Sequence, residues 1–170
     1  MPSYPTVVAG TAKTWSTTGT YAITLTSLAT SSSDGREGVK GDFYDATYGL
    51  PEFIVWTFET KMASAPTDAT AVELYSGEST SATAGTGNPG GLTGADAAVT
   101  AASQKKRQCT YIGSLSLSNS IGTGVQRQHF VQFPMHRYQV PLVHNNSGTN
   151  HSGTAGDHVI TATPYYRVVN

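Results

Sequence analysis

The chain has 170 residues, of which 12% are charged and 38% hydrophobic, and its formal net charge is -1. Its 25 Thr, 17 Ser and 18 Gly make it polar without being charged, so a basic nucleic-acid surface is excluded. Aromatic residues at 9% separate it from disordered chains, and its length suits one domain that buries a core without disulfide staples.

In chain order, residues 1–10 carry two prolines, Pro2 and Pro5, and are expected to form an extended arm outside the domain. Residues 11–18 and 21–28 read as strands divided by a Gly19-Thr20 turn. In the second, Tyr21, Ile23 and Leu25 alternate with Ala22, Thr24 and Thr26, the two-residue period of a half-buried strand. Residues 36–44 follow as a strand weakened by two glycines. Residues 51–60 are apolar on both faces, with Phe53 and Val55 on one and Ile54, Trp56 and Phe58 on the other, which predicts a central strand covered on both sides. Residues 70–75 place Val72 and Leu74 inward.

A Ser/Thr/Ala/Gly-rich loop is expected over about 76–104, with a helical turn at 95–104 if Thr93 and Asp96 form a capping box. A loop this long in a compact domain usually has a function. Strands resume at 109–117, with Cys109, Tyr111, Gly113, Leu115 and Leu117 on one face. They continue at 126–133, where His129, Val131 and Phe133 lie opposite Phe130, then at 138–145 and 157–169. The expected fold is all-β: an antiparallel two-sheet sandwich of about 8–9 strands, of jelly-roll type, in a single domain spanning residues 11–170.

Few residues offer chemistry. The single Cys109 excludes an intrachain disulfide and a cysteine zinc cluster, and in Cys-Thr-Tyr-Ile-Gly it reads as a small buried strand residue. Histidines 129, 136, 144, 151 and 158 include no metal-binding spacing for strands, and no metal or cofactor is expected. Gly85-Thr-Gly-Asn-Pro-Gly90 matches a dinucleotide pattern but leaves no strand and opens no helix. Asp34, Glu37, Asp42 and Asp45 read as solvated surface, as does the basic run Lys105-Lys-Arg107. No nucleophile elbow occurs, and the chain is not expected to be an enzyme. The N-terminal residues lack a signal pattern and no stretch approaches a membrane span, so a cytoplasmic product is expected. The aromatics Tyr4, Trp15, Tyr44, Tyr48, Tyr138, Tyr165 and Tyr166, in a chain with so few charges, read as a set as a surface partly covered by other subunits.

Thr24-Leu-Thr-Ser-Leu-Ala29, Gly35-Arg-Glu-Gly-Val-Lys40, Val72-Glu-Leu-Tyr75, Ser81-Ala-Thr-Ala-Gly-Thr-Gly-Asn-Pro-Gly-Gly91, Tyr111-Ile-Gly-Ser-Leu-Ser-Leu117 and Val143-His-Asn-Asn-Ser-Gly148 carry a resemblance. Together they resemble small virion structural proteins of tailed bacteriophages, of the capsid decoration or cement type. The resemblance implies a β-sandwich on the capsid surface, self-associated as a trimer and bound to the major capsid protein. It implies no catalytic residues, and the composition adds the expectation of no nucleic-acid and no membrane partner. Expected capsid or subunit contacts are Tyr4, Pro5, Trp15, Arg36, Lys40, Tyr44 and Tyr138. The alternatives are a tail, neck or fibre component that binds host glycans through an exposed Trp15, or a glycan-binding sandwich module.

Overall fold

The computed structural model describes residues 5–169. Twelve strands form in chain order: β1 (Pro5–Ala9), β2 (Lys13–Ser16), β3 (Tyr21–Ala22), β4 (Gly35–Glu37), β5 (Gly41–Asp42), β6 (Phe53–Thr60), β7 (Ala71–Ser79), β8 (Ala97–Val99), β9 (Thr110–Ser116), β10 (Gln126–Gln132), β11 (Tyr138–Asn145) and β12 (Val159–Val169). They build two six-stranded sheets. The first runs β10-β6-β12-β2-β3 with β1 added to β12; the second runs β8-β4-β11-β7-β9 with β5 added to β11. The central orders β2-β12-β6-β10 and β4-β11-β7-β9 are two interleaved Greek keys, the jelly roll.

Alternation decides which side chains meet between the sheets. Ile54, Trp56 and Phe58 of β6 meet Val72 and Leu74 of β7, with Trp15, Ile23, Leu25, Phe43, Val143 and Ile160 around them, all buried. Trp15 stacks on Trp56 at 5.6 Å and on Phe43 at 6.2 Å. A second apolar cluster of Tyr75, Leu92, Val99, Ala102, Val140 and Leu142 lies on the far side of the second sheet. The 80–109 segment covers it there, so β11 is buried on both faces.

Several expectations are corrected. Residues 5–9 do not run clear of the domain: β1 pairs antiparallel with β12 from Pro5↔Val169 to Ala9↔Tyr165, although all five residues are exposed. The rest of the expected arm up to residue 4, including Tyr4, lies outside the described residues. Gly19 and Thr20 do not make a hairpin, because β2 and β3 pair parallel through Trp15↔Tyr21 and Ser16↔Ala22. Ile23 and Leu25 keep their alternation and their burial without a ladder partner. On β9 a bulge facing Leu74 and Tyr75 shifts the register. Ile112 therefore turns inward and Tyr111 outward against Tyr75 at 5.2 Å, breaking the expected alternation.

The capping box at 93–96 does not form. Residues 97–99 are strand β8, and an α-helical turn follows at Ala102–Lys105, entered from Ala101 at φ 55. Gly113 has a specific reason to lack a side chain. A Cβ there would overlap the ring of Phe130, which comes across from the other sheet. That close approach shuts the corner where β9 and β10 meet. Glutamines complete the closure: Gln128 Oε1 accepts the Ser116 N–H at 3.2 Å, and Gln126 exchanges bonds with the Ser118 backbone at 3.3 and 3.1 Å.

Candidate functional site

β6 lies at the middle of the first sheet, between β10 and β12, but its own chain covers only one face. Ile54, Trp56 and Phe58 are buried, while Phe53 and Val55 are half-buried and face outward. The expectation of cover on both sides is met on the inner side alone. Residues paired across strands share a face, so the registers map the outer surface. Arg127 stands by Glu59, His129 by Thr57 and Thr161, Val131 by Val55 and Thr163, and Phe53 by Tyr165 and Ala9. The outer face thus grades from a charged row, through a Thr/His row, to two apolar rows. Phe53 stacks on Tyr165 at 4.9 Å and meets Phe133 edge-on at 6.4 Å. Val131 is 56% exposed, Phe133 71% and Met135 78%. Each row crosses three strands, so the two together span roughly 200 Å² at ordinary strand spacing, and the exposed Phe133 and Met135 extend the surface past the end of β10.

The tip bearing Phe133 and Met135 is held from inside. Glu78 Oε2 accepts the backbone N–H of Met135 at 2.7 Å and of His136 at 2.9 Å. Its Oε1 accepts from Thr110 Oγ1 and from Gln132 Nε2 at 2.9 and 3.1 Å. Gln132 accepts the Trp56 indole N–H at 2.8 Å and donates to Gln139 Oε1, which also accepts from Ser76. A buried polar chain therefore runs from the core tryptophan to the exposed tip, every member partnered. Sequence reasoning missed these residues. The available signal was the set of glutamines at 126, 128 and 132, on the same strand face as Phe130.

The predicted contact residues scatter. Trp15 is corrected outright: it is fully buried in the core and donates its indole N–H to the Val39 carbonyl at 2.6 Å, so it offers no exposed ring to a glycan or subunit. Pro5 opens the exposed strand β1. Tyr44 and Tyr138 do come together, around Arg137, with Lys40 beside Tyr138. The guanidinium lies 4.7 Å from the Tyr44 ring and 5.1 Å from the Tyr138 ring, and Lys40 Nζ sits 5.9 Å from Tyr138. Arg137 also grips both Asp42 oxygens at 2.7 and 2.6 Å. Burial opposes the Asp42 charge, but Arg137 and the Tyr44 N–H hold its carboxyl below the usual range.

Arg36, Glu37 and Lys40 work inside the molecule and order the long loop. Glu37 is 1% exposed, which corrects its reading as solvated surface. Its carboxylate accepts the Thr93 N–H and hydroxyl, each at 2.8 Å, and the Gly94 N–H at 3.1 Å. Arg36 pairs with Asp96 at 2.6 Å. Burial opposes the Asp96 charge, yet the Thr24 hydroxyl and N–H, with Arg36, keep its carboxyl below its ordinary range. Lys40 Nζ donates to the carbonyls of Ser81, Thr83 and Thr86 at 2.9, 2.8 and 3.1 Å. The Gly35–Lys40 segment is therefore a three-point clamp on residues 81–96.

The basic run is likewise not all solvated. Lys106 pairs with Glu73 at 2.5 Å, and His144 Nδ1 meets the same carboxylate at 2.9 Å. Burial pushes the Cys109 thiol up to about 11, which leaves it protonated at neutral pH. At the end of the sandwich, His151 and His158 stack at 5.0 Å. The Thr60 hydroxyl lies between their Nδ1 atoms, at 3.5 and 2.7 Å. Among the described residues no group of three or more His, Cys, Asp or Glu side chains converges on one point. Among the described residues no helix is long and apolar enough to cross a membrane.

No family model matches the chain, and no curated protein matches it.

Proposed function

We propose that this chain is a virion structural protein of a tailed bacteriophage, a decoration protein that binds the major capsid protein lattice and reinforces the head. The observation that carries the reading is the open outer face of β6, with Phe53, Val55, Val131 and Tyr165 in two adjoining rows and Phe133 against Phe53. A strand that is apolar on both sides gains most of its stabilisation when both sides are covered, and here one side is left to a partner. The patch is smaller than the ~800 Å² per side of a stable pairwise interface. A contact of that size becomes firm when many copies sit on a repeating lattice. The clamped loop and the low charge fit a shell component whose work is done by contact. Self-association as a trimer at a symmetric position belongs to the same reading.

The test uses heads from which the protein has been deleted. The purified chain is added back and sedimented with them, beside the double variant Phe133→Ser, Met135→Ser. Both side chains are mostly exposed, so the variant should keep its melting temperature while occupancy falls at least about tenfold, the effect of losing ~1.4 kcal/mol. Equal occupancy of the two proteins, or no binding by either, refutes the reading. Analytical ultracentrifugation that finds a monomer in solution, with no oligomer on the particle, removes the trimer.

A further inference from the structure

Beyond the lattice contact, a second surface has the make-up of a ligand site. A groove of about 250 Å³ is lined by Tyr48, Leu50, Glu52 and Arg167. Its walls are set by the backbone before any ligand arrives. Asp45 and Gly49 exchange backbone hydrogen bonds at 2.9 and 2.8 Å, and Asp45 Oδ1 accepts the N–H of Thr47 and of Tyr48 at 2.8 and 3.1 Å. Gly49 at φ +81 lets this turn close where a side chain would be strained. Tyr48 at its tip is 41% exposed and rests on Tyr166, ring centres 5.7 Å apart. Tyr166 is itself fixed, donating its hydroxyl to the Phe43 carbonyl at 2.9 Å. On the opposite wall the Glu52 N–H binds the Tyr165 carbonyl at 2.7 Å, and Glu52 Oε1 faces Arg167 Nη2 at 3.4 Å.

We infer that this groove binds a neutral saccharide, with one pyranose ring seated on Tyr48 and its hydroxyls on the Glu52–Arg167 pair. Three features select that chemistry. An exposed aromatic ring beside Leu50 favours a flat apolar surface, such as the C–H face of a sugar. The paired charges offer several donors from the guanidinium and acceptors from the carboxylate, which match adjacent hydroxyls. Glu52 also neutralises Arg167, so a simple anion gains little, while a pure hydrocarbon would strip water from the ion pair without replacing its hydrogen bonds. The groove is shallow and buries only part of a sugar, so binding to one copy is weak. Any arrangement that links several copies would strengthen it through avidity. This inference does not depend on the virion reading, because its ligand and its residues differ from those of the open sheet face.

The test is an amide-resolved NMR titration of the full chain. The probes are methyl glycosides of glucose, galactose, mannose and N-acetylglucosamine, with sodium acetate and cyclohexanol as controls. At least one glycoside should give saturable shifts confined to residues 48–52 and 167, in the millimolar range, while neither control does. Tyr48→Ala should weaken binding about tenfold, the upper range of a ring contact, and Tyr48→Phe should restore it. Glu52→Gln should admit acetate by leaving Arg167 unbalanced. Unchanged signals elsewhere confirm that each variant is folded. The inference is overturned if no glycoside saturates, if acetate competes equally on the native chain, or if Tyr48→Ala binds as well as native.

Discussion

Replacing Glu37 by Gln keeps the side-chain shape and removes its charge. Thr93 N–H, Thr93 hydroxyl and Gly94 N–H all donate to this carboxylate, which is 1% exposed. Hydrogen bonds to a charged group contribute ~1.5–3 kcal/mol and neutral ones ~0.5–1.5, so three bonds lose about 1 kcal/mol each. The new amide turns at least one N–H toward backbone donors, and an unpaired buried donor costs ~1–3 kcal/mol. The expected loss is therefore about 4 kcal/mol, or a melting temperature lower by roughly 8–16 °C at this chain length. If the loop detaches before the sandwich melts, the loss appears first as cleavage within 80–101 and as dye binding to the uncovered Leu92, Val99 and Val140. Calorimetry with limited proteolysis separates the two outcomes. A melting temperature within about 3 °C of native, with no new cleavage site, would show that Glu37 does not hold the loop.

Acid stability depends on the His151–His158 stack. Burial, and then the neighbouring His158, push His151 down from 6.5 to about 3. Burial also lowers His158, against the pull of Asp157 and with some help from Lys61. The unfolded chain thus takes up these protons first, and stability falls as the pH drops below about 6.5, by ~1.4 kcal/mol per unit for His151 alone. Urea denaturation should lose about 2 kcal/mol between pH 6.5 and 5, and His151→Gln should flatten that limb; an unchanged slope refutes the assignment. Gly113→Ala puts a methyl group into the Phe130 ring and should cost about 1–3 kcal/mol, relieved in part by the second change Phe130→Leu. Absence of rescue in a double-mutant cycle would deny that coupling. Trp15→Ala empties the centre of the core and abolishes the bond to Val39; a loss of ~3–5 kcal/mol is expected, and a near-native melting temperature would contradict its placement.

The strand periods at 51–60 and 70–75 were legible because β structure exposes its two-residue repeat to any reader of the chain, and 157–169 was legible as a strand from its Thr, Val and Tyr content. Ile54, Trp56 and Phe58, like Val72 and Leu74, fall inside as their alternation requires. The two-sheet sandwich follows from many such segments in one domain of this length, while the jelly-roll strand order is set by the pairing alone. The fate of the polar and ambiguous residues was not legible. Glu37 looks like a surface acid until Thr93, 56 positions away, is folded onto it. Gln132 is an ordinary strand residue until Trp56, 76 positions away, donates to it. Trp15 has the composition of an exposed contact and the position of a core residue. Phe53 and Val55 promise a covered face that the chain itself does not cover.

The division has one physical cause. Apolar burial is non-directional and scales with area, so a local pattern suffices to predict it. A buried carboxylate, amide or indole N–H is tolerable only beside a particular partner. In a fold of crossed Greek keys that partner sits far along the chain. Composition and alternation therefore determined the sandwich and its core faces, while tertiary contact alone decided the loop clamp, the pinned tip at 133–136 and the groove at Tyr48.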